Sequence, residues 1–182
     1  MWPLIWRLYI WWLKLRGVEA ACRAAHICRR RLRLRILRAF GAQVGEGTRI
    51  EGPFLLMNAK DDMSNLRIGS NCYIGPDTII DLTAPVTIGN RVTLSMRSAL
   101  ITHMAVGNSA LNTLYPAEKA SLEIADDCYL AAGVIVLYGV TVGPRALIAA
   151  ASLVRESVPP DTLAAGVPAV IKKSLIDPRP PK

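Results

Sequence analysis

Residues 124–147 read IADDCY LAAGVI VLYGVT VGPRAL, four frames of six residues. An aliphatic residue leads each frame (Ile124, Leu130, Val136, Val142), Gly or Ala often follows it, and a small residue stands four places after it (Cys128, Val134, Val140, Ala146). Ile148 and Val154 carry the register onward. Working back, Leu100, Leu94 and Ile88 hold the same frame. Beyond a two-residue slip at Val86 and Thr87 come Ile80, Ile74 and Ile68, and Val44 and Ile50 open the series. A short fixed period marks a solenoid. The leader is expected to point into a narrow interior and the small residue to sit where the chain turns a corner. Successive coils would then bond backbone to backbone and bury each other's apolar row. With no helical period after Phe40, the pattern predicts an all-β coil of short parallel strands.

The frame breaks once at length, over the nineteen residues 103–121. Loops that long inside a compact domain are usually functional. His103 stands at the break. The chain has two His, and the other, His26, lies in a basic N-terminal stretch, so His103 is the base candidate of the repeat body. Asp81, just over one coil earlier, is read three ways: touching an acceptor, orienting the imidazole, or capping a turn. Cys72 and Cys128 occupy the small position of a hexad, so inward packing accounts for them. Cys22 and Cys28 match no zinc spacing, and with no disulfide framework a reducing compartment is expected.

Charge is unevenly spread. The chain of 182 residues has a formal net charge of +8, yet residues 1–50 hold eleven basic and two acidic side chains, so the body beyond them is near neutral. All four Trp fall in the first twelve positions. The apolar stretch from Trp2 to Leu15 is too short for a span, which takes about 20 residues. As a secretory signal it lacks leading positive charge and carries Arg7 inside it, although residues 18–20 resemble a cleavage site. An interfacial helix fits better: Trp and Tyr favour the headgroup level, and Arg7 and Lys14 can snorkel from one side. Six Arg then fall within residues 29–38, a run that fits either helix or strand and is expected to attract anionic lipid. Without interleaved aromatics it points away from nucleic acid.

The hexads, together with residues 140–154 (VTVGPRALIAAASLV) and 158–173 (VPPDTLAAGVPAVIKK), resemble the hexapeptide-repeat acyltransferase family, in its sugar O-acetyltransferase-like branch. The resemblance implies a left-handed parallel β-helix over residues 41–173 with an excursion loop at 103–121. A helical, membrane-associating leader at 1–40 and a tail at 174–182 lie outside it. It also implies acetyl-CoA as co-substrate, no metal, and a homotrimer with active sites between neighbouring prisms. Two His are too few for the three-imidazole site of carbonic anhydrases built on the same coil. His103 would act as general base, a step imidazole suits because its class pKa lies near neutrality. Relatives often carry this His two places further on, where this chain has Ala105.

Asp81 and Asn108 are the expected acceptor-binding residues. Tyr129, Ala131, Ala132, Ala150, Arg155, Lys172 and Lys173 are expected to bind CoA, with a backbone N–H at Ala131–Ala132 facing the thioester oxygen. The expected acceptor is a membrane-linked glycan or glycolipid, met at the inner face of the cytoplasmic membrane, with the anionic surface bound through residues 1–40 and no nucleic-acid partner. A soluble enzyme acting on an amino acid, a free sugar or an antibiotic, and a non-enzymatic β-helix scaffold on membranes, are the competing readings.

Overall fold

The computed structural model describes residues 2–176; Met1 and residues 177–182, most of the expected tail, lie outside the described residues. The hexads form a three-sided coil. Face 1 stacks Gln43–Val44, Leu66–Ile68, Val86–Ile88, Leu122–Ile124 and Thr141–Val142. Face 2 stacks Arg49–Ile50, Tyr73–Ile74, Thr93–Leu94, Tyr129–Leu130 and Leu147–Ile148. It is extended by Thr162–Gly166 and the antiparallel Ala169–Ser174. Face 3 stacks Phe54–Met57, Thr78–Asp81, Ala99–Leu100, Ile135–Val136 and Leu153–Val154.

The leaders from Ile50 to Val154 named above are all at most 3% exposed. The residues four places on, from Thr48 to Val158, are at most 6% exposed, save Met104 in the excursion, which is half-buried. Both predicted rows are therefore the core; Val44 alone of the leaders is only half-buried. Cys72 and Cys128 sit in that row, as packing required.

Register locates the irregularities. Gln43 pairs with Arg67, Arg67 with Thr87, Thr87 with Glu123 and Glu123 with Thr141. Faces 2 and 3 repeat the same offsets. Every residue beyond three hexads per coil falls between face 3 and face 1: at 58–65, at 82–85 and at 101–121. The two-residue slip thus lies just ahead of Val86, in the corner, since Val86 itself is already in a strand. Insertions are tolerated where they leave the ladders of all three faces in register, and here they gather at one corner, the 3–1 corner.

The N-terminal stretch is three helices: α1 (Trp2–Arg16), α2 (Val18–Ile27) and α3 (Arg30–Ala39). The Arg run, ambiguous by pattern, is thus helical. Gly17, at φ +82, turns the chain between α1 and α2. Val18, Ala21 and Ala25 of α2 and Ile36 and Leu37 of α3 join Ile50, Phe54 and Leu56 in one continuous core, so residues 18–40 close the end of the first coil rather than hang from it. Arg33, 2% exposed, holds this joint. Its Nε donates to Ala25 O (2.7 Å), Nη1 to Ile50 O (2.8 Å) and Nη2 to Cys28 O (2.8 Å) and His26 O (3.2 Å). A side chain at Gly52 would collide with that guanidinium. Arg33 therefore serves the fold and is lost to any lipid surface, whereas Arg38, which donates to Val44 O, stays exposed.

Leu13 of α1 is buried and Tyr9 packs on the core. Ile5, Leu8, Trp11, Trp12 and Leu15 are 45–66% exposed, an apolar stripe at helical spacing. No helix among the described residues is long and apolar enough to cross a membrane.

Candidate active site

The 3–1 corner, where the insertions gather, carries His103. The residue opens a two-residue strand, His103–Met104, paired antiparallel with Glu118–Lys119, and Ala120 N–H donates to Thr102 O, so the base of the excursion is hydrogen-bonded backbone. Beyond it lie a 3₁₀ turn, Ala110–Thr113, and an exposed apolar tip at Leu111, Leu114 and Tyr115.

His103 Nδ1 lies 2.6 Å from Asp81 Oδ2 and 3.2 Å from Thr83 Oγ1. The Asp81 side chain is 3% exposed and that of His103 34%. Asp81 Oδ2 also accepts from Thr102 N–H (2.9 Å) and Thr102 Oγ1 (2.7 Å). Its Oδ1 accepts from Asn58 Nδ2 (2.8 Å), Thr83 Oγ1 (2.8 Å) and Thr83 N–H (3.1 Å). Burial by itself raises a carboxyl pKa. Here the donors from Asn58, His103, Thr102 and Thr83 outweigh it and hold Asp81 well below the ordinary carboxylate range. A fixed anion at Nδ1 keeps the proton on that nitrogen and leaves Nε2 the unprotonated one. Nε2 makes no hydrogen bond among the described residues. Asp81 therefore combines two of its expected roles, orienting the imidazole and capping a turn, and it is too buried to offer an acceptor a surface.

Sequence reasoning missed Asn58, Thr83 and Thr102. The signal was in the register: Ile80 pairs with Leu100, so continuing the ladder sets Thr83 beneath His103. Of the other expected residues, Asn108 is exposed on the excursion. Tyr129, 45% exposed, faces outward from face 2. Ala131, Ala132 and Ala150 lie at the 2–3 corner. Lys172 and Lys173 are exposed on the last strand of face 2, where Lys173 pairs with Leu163. Arg155 stands apart from that group, at the 3–1 edge, 3.4 Å from Glu156.

The 2–3 corner differs from its neighbour in one respect. At two places on the 1–2 corner the second residue after the leader has its N–H capped by a side chain of the next coil: Ser70 N–H donates to Asn90 Oδ1 (2.9 Å) and Asn90 N–H to Asp126 Oδ1 (2.8 Å). At the 2–3 corner the equivalent residues are Ala132 and Ala150, which have no such side chain. Their N–H groups have no acceptor among the described residues, whereas Ala131 N–H is spent on Ile148 O. Of the Ala131–Ala132 pair, Ala132 is thus the available donor. The corner is a smooth edge of small residues with open amides, suited to a slender polar chain.

Burial raises the pKa of all four thiols, that of Cys22 to about 11, which leaves no activated sulfur nucleophile. Among the described residues no group of three or more His, Cys, Asp or Glu could hold a metal.

No family model matches the chain. A galactoside O-acetyltransferase of Lactococcus lactis is 28% identical over 145 residues, 79% of this chain and 68% of that one. The protein named as the colanic acid biosynthesis acetyltransferase WcaF of Escherichia coli is 26% identical over 147 residues, 81% of this chain and 77% of that one. A hexapeptide-repeat acetyltransferase of Vibrio cholerae, solved with acetyl coenzyme A, superposes with a TM-score of 0.77 at 26% identity, covering 87% of this chain and 85% of its own. With the three-sided coil, the two buried rows and these relatives agreeing over most of the length, the chain is similar in sequence and fold to the hexapeptide-repeat acetyltransferases.

Proposed function

We propose that the protein is an acetyl-CoA-dependent O-acetyltransferase that works as a homotrimer on a sugar hydroxyl presented at a membrane surface. The observation that carries the chemistry is the His103–Asp81 dyad. Acetyl-CoA supplies the acetyl group as a thioester. His103 Nε2 takes the proton of the acceptor hydroxyl as its oxygen attacks the thioester carbonyl, and later returns that proton to the departing thiolate. The Ala132 N–H receives the carbonyl oxygen as it gains negative charge. Ala150 continues the same edge, and with Tyr129, Lys172 and Lys173 of the adjoining face 2 it serves the rest of the donor.

Two features support a shared site. The dyad and the alanine edge stand on opposite sides of face 3, a full hexad apart. That spacing favours a site in which one carbonyl meets the dyad of one protomer and the edge of another. Face 3 between them is apolar outward: Leu55, Ile79, Ala99, Ile135 and Leu153 form one ladder. The outward ladder of face 1 is polar, running Gln43, Arg67, Thr87, Glu123 and Thr141. Burying face 3 between copies, with the 3–1 corner of one against the 2–3 corner of the next, closes a cyclic assembly and completes the site.

The exposed stripe of α1 supports docking on the inner face of the cytoplasmic membrane, and three copies on one end strengthen it by avidity. The WcaF relative supports a polysaccharide precursor as acceptor, whereas the galactoside relatives favour a second reading, a free sugar. Thiol release from acetyl-CoA, measured over lipid-linked and free sugars, tests both. His103→Ala is expected to lose about 10²–10⁴-fold in turnover with the trimer intact. Near-normal turnover in that variant removes the mechanism, and product mass separates the two acceptors.

A further inference from the structure

The start of α3 is charged against its own dipole. Arg29 is its N-cap, Arg30 and Arg31 fill the first turn, no acidic residue lies there, and no side chain caps it. A helix N-terminus carries partial positive charge and unsatisfied N–H groups, so it favours anions and disfavours cations. These three Arg and Arg35 line a cleft of about 580 Å³, with Trp6 of α1 on its wall. Glu51 is the one acid lining it, and it is 3.3 Å from Arg30. Arg29, Arg31 and Arg35 have no ion-pair partner among the described residues, while Arg33 and Arg38 of the same run are bound to backbone carbonyls. The run is thus divided between the fold and the cleft. On the cleft side converge guanidinium forks, free backbone donors and a dipole, the three elements of an oxyanion site.

We propose that this cleft is a phosphate site that takes the headgroup phosphate of a membrane lipid. The exposed apolar stripe of α1 then lies in the acyl layer beside it. The source of the phosphate rests on the surface docking proposed above; the phosphate site itself does not. Such a site would fix the helices' depth and orientation on the bilayer, where nonspecific attraction of a basic patch fixes neither.

Two readouts on the full-length protein test this, and neither requires acetyl transfer, so failure of the catalytic reading leaves them untouched. In calorimetry with inorganic pyrophosphate, the Arg31→Gln, Arg35→Gln double variant is expected to bind about tenfold or more weakly. The charge-matched Arg7→Gln, Lys14→Gln variant of α1 should stay near wild type. No pyrophosphate binding by wild type, or equal weakening in the two variants, overturns the site. In flotation with phosphatidylcholine vesicles, with and without phosphatidic acid, wild type should follow phosphatidic acid and be displaced by pyrophosphate. Flotation of the cleft variant at the wild-type level overturns the lipid as the source.

Discussion

His103 is one third exposed, and the groups that make it useful are the ones the surface hides. Asp81 accepts six hydrogen bonds from four residues, three from one oxygen and three from the other. Such a carboxylate cannot swing away, so the imidazole bonded to it keeps one tautomer. Asp81→Asn preserves shape but reverses the hydrogen-bond sense at Nδ1. It is expected to lower kcat by about 10²–10⁴-fold while leaving the KM for acetyl-CoA near wild type, because Asp81 is buried and acts through the imidazole. Steady-state kinetics on both substrates separates this positioning role from a loss of fold. The sign of the pH effect also follows. The carboxyl is depressed in the native state, so its contribution to stability is present above the unfolded value of about 3.9 and is lost as pH falls through the native one. Between roughly pH 4 and pH 2 wild type should therefore lose more of its urea resistance than the Asn variant. Equal slopes would mean that the hydrogen bonds at Asp81 do not favour the charged form.

At the scale of the hexad, three rows define a coil, and two were legible in the sequence. Leader and small residue are fixed by volume in a narrow interior, so they read directly. The third row, three places after the leader, turns the corner in the left-handed region, and only part of it announces itself. Gly47, Asn71, Asp77, Asp127, Gly133 and Gly139 are residue types at ease there, but Arg91, Arg97, Arg145 and Ala151 adopt φ of 54–58 as well. What offsets that strain at two of them is a partner on the next coil. Arg91 forms a fork with Asp127 and Arg145 one with Asp161, pairs 36 and 16 residues apart that no local pattern exposes. The helices were legible only as basic and apolar, because charge composition does not reveal which Arg turns inward. Arg33 is the consequential case. Arg33→Lys keeps the charge but offers one donor centre where four carbonyls on two elements are now met. Leaving carbonyls of α2 and the first coil unpaired should cost about 2–3 kcal/mol, read as a lower urea midpoint, whereas Arg31→Lys on the exposed side should leave it unchanged.

For the whole molecule, the consequence of placing the dyad and the alanine edge on opposite sides of face 3 is that inactive subunits should repair one another. A protomer with His103→Ala keeps its alanine edge, and one with Ala132→Trp, its corner filled by an indole, keeps its imidazole. In the proposed trimer, each variant by itself should be inactive. Mixed by co-expression in equal amounts, the two would meet at random around the ring, and about a quarter of the interfaces would pair an intact dyad with an intact edge. Thiol release from the mixture is then expected at about a quarter of the wild-type rate per subunit. If dyad and edge instead served one site within a protomer, every subunit in the mixture would carry a lesion and none would turn over. Ile135→Glu, 40% exposed on the apolar ladder, supplies the structural counterpart. It should release folded monomers in sedimentation and silence wild-type dyad and edge together, although it touches neither. Full activity from an Ile135→Glu monomer would separate the chemistry from assembly, and with it the account of why the insertions and the bare alanine corner flank the same face.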